Sequence, residues 1–200
     1  MNPSMRKSLR MLGWGLVFPI LDLHLGPFDV LPDFIGYIMI LVALNQLGTG
    51  DGGFKPASWL AAGLILLSLP QLVIKSSIDI DELIVASLGM YIFSQGMMVL
   101  HALLAYFIVR GLYTIARPIA PPKLLNALVS RLRLYLALMA AQLIFYPFLL
   151  NFGEDLAVLL LLIGIVKFIA ELMLIRIPFR ISHIRNAPVH HDNQSGAAPL

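Results

Sequence analysis

Six apolar runs, at about residues 9–25, 30–47, 59–74, 83–109, 132–150 and 156–175, follow one another with only short polar stretches between them. Runs of that kind need a covering other than water unless a polar shell is available. No such shell can be built here. Of the 200 residues, 59% are hydrophobic and 12% charged, about half the roughly 25% of charged residues in a soluble domain. The chain therefore reads as an integral membrane protein. The expected fold is an all-α bundle of six transmembrane helices, formed as one domain over residues 1–185, with a disordered polar tail over 186–200.

The runs differ in length, and the differences carry information. Counted from Phe34, the second has 14 residues, about 21 Å of helix; counted from Val30 it reaches about 27 Å. Two short spans and a re-entrant hairpin both fit the first pair of runs. Apolar character in the fourth run continues to Ala116, giving 34 residues over 83–116, about 51 Å as one helix. Such a helix tilts, breaks near Ser94-Gln95-Gly96, or projects beyond the bilayer. Arg110 and Arg117 at its end favour projection. A stiff basic turn at 117–123 and an amphipathic entry at 124–133 lead into the fifth span, and residues 151–155 read as a short loop.

Charge placement sets the orientation. With the N-terminus inside and six spans crossed, twelve of the 14 Lys and Arg residues fall on the cytoplasmic side, one (Lys75) on the other, and Lys167 within a span. Eight of the 11 acids fall on the outer side. Both termini are thus expected in the cytoplasm. The first run follows Arg6, Lys7 and Arg10 but lacks a small-residue cleavage site, so it reads as an uncleaved span. Three helical hairpins emerge, each with a proline near the outer end of its first helix (Pro19, Pro70, Pro147) and an acid beyond it (Asp29, Asp81, Asp155). Parallel repeats occur in small transporters, although topology alone gives the same pattern.

Few residues could carry chemistry. There is no cysteine, which removes disulfides, thiolate nucleophiles and Cys-based zinc or iron–sulfur sites. No phosphate-cradling glycine loop, zinc helix or nucleophile elbow occurs, and no cofactor is expected. The cytoplasmic cations are accounted for by topology and anionic lipid, so no nucleic-acid partner is needed.

The first candidate cluster is Asp22, His24, Asp29 and Asp33 in the turn after the first run. One imidazole and three carboxylates within twelve residues could ligate a divalent metal or exchange a proton. They could equally be interfacial polar residues, with Asp29 or Asp33 meeting the positive end of the second helix. The second candidate is the intramembrane charge pair Lys167 and Glu171, at i and i+4 on one helical face. A charge at that depth costs about 2.5–3.5 kcal/mol on insertion scales and normally faces the bundle interior with a partner. It marks either a proton or substrate-charge site or a neutralised packing pair. His101 is a candidate relay member or a histidine hydrogen-bonded between helices. Gln95 and Gln142 read as interhelical glue.

The stretch Phe28-Asp29-Val30-Leu31-Pro32-Asp33-Phe34-Ile35-Gly36-Tyr37-Ile38 resembles the Asp-x-Leu-Pro-Asp-Phe-Ile-Gly-Tyr signature of a family of uncharacterised multi-pass bacterial membrane proteins, placed after their first span. A fainter similarity links it to the Asp-x-Ile-Pro-Asp-Phe-Ile-Pro motif of a small bacterial helical family; here Gly36 stands in place of the second proline. The resemblance implies a bacterial cytoplasmic membrane and no particular activity. Three functions follow as expectations. The foremost is a non-enzymatic membrane component that binds a partner membrane protein or anionic lipid through its basic face. The alternative is a small transporter or proton pathway through Lys167, Glu171 and His101. An enzyme working through Asp22, His24, Asp29 and Asp33 is the third; it is the least favoured, because a catalytic outer site needs more polar loop.

Overall fold

The computed structural model describes residues 3–20, 24–25, 28–29, 33–48, 53–73 and 88–184. Helix α1 (Pro3–Val17) runs into a 3₁₀ turn, Phe18–Ile20. A two-residue antiparallel ladder follows, β1 (His24–Leu25) with β2 (Phe28–Asp29), His24 standing opposite Asp29. Then come α2 (Asp33–Leu47), α3 (Lys55–Val73), α4 (Leu88–Ala116) and α5 (Pro122–Phe145). A second 3₁₀ turn, Tyr146–Phe148, leads to α6 (Leu149–Ser182).

Local chemistry explains several of these boundaries. Pro3, Pro56 and Pro122 sit in first helical turns, where the missing N–H has no intrahelical partner to lose. Asp33 opens α2 at its positive end. At the end of α5 the Tyr146 N–H still donates to Gln142 O, but Pro147 has no N–H to continue the series.

Among the described residues each helix packs on its neighbours in sequence, and α6 returns to α1, so these six close into a ring. The α1–α2 contact is a close backbone approach. A Cβ on Gly36 would stand 2.9 Å from Gly15 O and 2.7 Å from Phe18 Cβ, and one on Gly15 would stand 3.0 Å from Gly36 O. Paired small residues let two helices meet in this way inside a membrane. Ser8 Oγ, 2.7 Å from Gln46 Oε1, and Arg131 Nη1, donating to Met173 O at 3.1 Å, tie α1 to α2 and α5 to α6.

The interior is divided. Leu9, Leu12, Leu44, Leu64, Ile108, Leu112, Leu128, Ile177 and Ile181 are almost fully buried. They belong to the half of the ring that holds the start of α1, the end of α4 and the end of α6. Toward the other end, large apolar side chains face outward, Leu66 at 68% exposure, Leu161 at 64% and Ile144 at 61%. Water would be a poor surrounding for that girdle.

The helical architecture is as expected, but the six membrane-spanning helices expected from the sequence are not found among the described residues. Among those residues, three helices are long and apolar enough to cross a bilayer: Ile92–Ala116, Pro122–Phe148 and Val158–Ser182. Asp33–Leu47 and Lys55–Leu69 are apolar but shorter, and α1 carries Arg6, Lys7 and Arg10 among its 15 residues. The fourth run passes Ser94-Gln95-Gly96 without a break, as one helix of 29 residues. Residues 124–133 are not a separate entry segment, because α5 runs continuously from Pro122. The loop expected at 151–155 is helical. The chain turns earlier, at Pro147, and α6 runs for 34 residues, about 51 Å. Pro19 and Pro147 lie in matching 3₁₀ turns after α1 and α5, whereas Pro70 lies within α3, so the threefold proline pattern has two structural counterparts. The tail at 186–200 lies outside the described residues.

Candidate functional site

Three helices point polar stripes at one another in the half of the ring away from the apolar core. On α2, Asp33 and Tyr37 are one turn apart; on α6, Lys167 and Glu171 are likewise; on α4, Ser94, Met97, Met98 and His101 follow the i, i+3, i+4, i+7 pattern of one helical face. With Pro19 and Met139 they line a cavity of about 250 Å³. Six of its ten lining residues are polar or charged, in a chain with few such residues to place.

At the floor of this cavity three side chains connect. The Tyr37 hydroxyl lies 3.3 Å from His101 Nδ1, and His101 Nε2 lies 2.9 Å from Glu171 Oε1. A neutral imidazole satisfies both contacts with its proton on Nε2. That N–H donates to the carboxylate, while Nδ1 accepts from the phenol. The side chains of His101 and Glu171 retain only 18% and 17% exposure, and Tyr37 is buried. An N–H to carboxylate contact so shielded from water is a strong one. The phenol and imidazole rings meet edge-on at 66°. A proton accepted at Tyr37 Oη can therefore displace one across the ring and onto Glu171.

Among the described residues, the ion pair of Glu171 is with His101, from α4. Lys167, one turn before it, lines the same cavity, and no hydrogen bond or ion pair holds its ammonium among those residues. A second, smaller cavity of about 30 Å³ lies on the far side of the His101–Glu171 contact. It is lined by these two residues together with Tyr135 and the apolar side chains Leu16, Ile108, Leu112 and Leu174. Tyr135 is wholly buried, and its hydroxyl has no hydrogen-bond partner among the described residues.

Of the first candidate cluster, Asp33 joins the cavity. His24 and Asp29 are brought into register by the ladder, while their side chains, and Asp22 entirely, lie outside the described residues. Among the described residues no group of three His, Asp or Glu side chains is placed to hold a metal. The amide oxygens of Gln95 and Gln142 are buried without a hydrogen-bond partner there, so the interhelical bonds expected of them are not made through those atoms. Tyr37 and Tyr135 are members that residue type alone did not single out. For Tyr37 a signal existed, since it stands at i+4 from Asp33 on α2. No family model matches the chain, and neither a curated protein nor a solved structure does.

Proposed function

We propose that this chain is a small transporter or proton pathway of a bacterial inner membrane, working through the cavity at whose floor His101 joins Tyr37 to Glu171. The carrying observation is that continuous contact, 3.3 Å and then 2.9 Å, buried between helices whose outer faces are apolar. Ionisable groups at membrane depth are costly and mark ion or proton routes when they face a bundle interior. Lys167 and Asp33 in the same cavity add charges able to hold a small polar solute. In proteoliposomes under an imposed potential, the wild type is expected to pass protons and Glu171→Gln to lose that flux with its fold intact. Undiminished flux in Glu171→Gln would sink the role given to the carboxylate.

The topology that goes with this reading is six crossings with both termini inside, the three shorter helices completing the ring. Its support is the one-sided placement of cations, with Arg110, Arg117, Lys123, Arg133, Arg176 and Arg180 all exposed at one end of the bundle. Because the chain has no cysteine, single cysteines at Ser4, Asp79 and Ser130 report sidedness without background. The expected labelling by an impermeant thiol reagent is inside, outside and inside, and any other pattern contradicts six crossings. The same exposed cations favour a second reading, recognition of anionic lipid at that end, which is compatible with the first.

A further inference from the structure

The two cavities meet at His101 and Glu171, the residues that line both. Following α4, the larger cavity takes Ser94 to His101 and the smaller takes His101 to Leu112; following α6, the division falls at Glu171 in the same way. The carboxylate thus stands at a partition. On one side is a roomy polar space, and on the other a small one whose sole polar lining besides the partition is Tyr135.

Resting on the proton-pathway reading, we propose that Tyr135 holds a water molecule against Glu171 in the smaller cavity. The carboxylate then has two hydrogen-bond networks, one through His101 at Oε1 and one through that water at Oε2. Three observations carry this. The Tyr135 hydroxyl is fully buried yet unpartnered among the described residues, an arrangement that native proteins rarely leave without a water. The space beside it, about 30 Å³, exceeds the roughly 10–15 Å³ that one water needs. The bond from His101 uses Oε1 of Glu171, and no hydrogen bond among the described residues engages Oε2. A water between Tyr135 Oη and Glu171 Oε2 has the two polar partners that a buried water requires at minimum.

The remaining lining offers the water no further polar side chain. Ile108, Val109, Leu112, Leu174 and Ile175, on its side toward the basic end of the bundle, are all apolar. The water is accordingly a held one, and Tyr135 is a positioning residue. It makes a protonated Glu171 comfortable on the side away from His101, where the His101 network alone would return the proton to the larger cavity.

Infrared difference spectra of the purified, membrane-reconstituted protein test this, with Tyr135→Phe, which keeps the ring and its packing, beside Glu171→Gln. The carboxyl C=O band of protonated Glu171 is the one that Glu171→Gln removes. In Tyr135→Phe it is expected to move to higher frequency, toward that of an unbonded carboxyl, and an O–H band that shifts in oxygen-18 water is expected to vanish. Proton flux is expected to fall several-fold. If the carboxyl and water bands are unchanged in Tyr135→Phe, the bridging water is overturned, even where flux still depends on Glu171. If Glu171→Gln removes no carboxyl band at any pH at which the protein stays folded, the two-network role is overturned as well. Failure of the underlying pathway reading shows separately, as wild-type flux no greater than that of protein-free vesicles.

Discussion

A histidine with both ring nitrogens engaged is a different chemical object from one with a single bond. In His101 the Tyr37 phenol on Nδ1 and the Glu171 carboxylate on Nε2 set the ring orientation and the tautomer together. Of the two bonds, that to Tyr37 is the longer and the neutral one, so its removal is the milder change. Tyr37→Phe is expected to lower stability by about 0.5–1.5 kcal/mol, the net worth of a typical hydrogen bond, measured by denaturant unfolding in detergent. No measurable loss would mean that the Tyr37 hydroxyl contributes nothing net through its contact with His101. Much at this scale was legible from residue type alone: Lys167, Glu171 and His101 stand out because charge and imidazole are rare within apolar runs. Their partnership was not legible. Spacing along one helix suggests Lys167 with Glu171, but the carboxylate's partner is 70 residues earlier in the chain. Only the way α4 and α6 face the cavity brings the two together. Likewise Asp33 belongs by sequence to a turn and by structure to the cavity, because α2 begins at it and points its first two turns inward.

At the scale of elements, the α1–α2 contact governs whether Tyr37 reaches His101. Gly36 stands directly before Tyr37, and its missing side chain lets α2 lie on the backbone of α1 at Gly15. Gly36→Leu forces those helices apart. The expected cost is about 1–3 kcal/mol of overpacking, with loss of proton flux, read by unfolding and by the flux assay on one preparation. Wild-type stability in that variant would contradict the close approach. This gives a physical meaning to the run Phe34-Ile35-Gly36-Tyr37, in which glycine sets the helix spacing and tyrosine uses it. Helix positions were largely readable from hydropathy, whereas ends were not. Residues 151–155 carry Gly153, Glu154 and Asp155, which look like a loop, yet acids in the opening turns of a helix favour its positive end. The actual turn is at Tyr146–Phe148, where proline withholds the N–H that the next helical bond needs.

At the scale of the whole molecule, the ring is asymmetric along its axis. A dry core occupies the end that carries the exposed arginines, and a polar cavity occupies the end where α2 begins, with the His101–Glu171 contact between them. In that arrangement the His101–Glu171 pair stands where the polar cavity meets the apolar half of the ring. That helices of this chain are apolar enough to cross a membrane was legible from how little charge it has. That its helices close into a ring with one polar interior followed only once α6 was seen to return to α1. The central claim is that His101 and Glu171 work as one unit. The most direct test is proton flux in proteoliposomes for His101→Gln, Glu171→Gln and the double variant beside the wild type. Residues that act together give non-additive losses. The account predicts that each single change removes the flux and that the double change lowers it no further. Wild-type flux in His101→Gln, with Glu171→Gln inactive, would contradict it and leave the carboxylate served by another route.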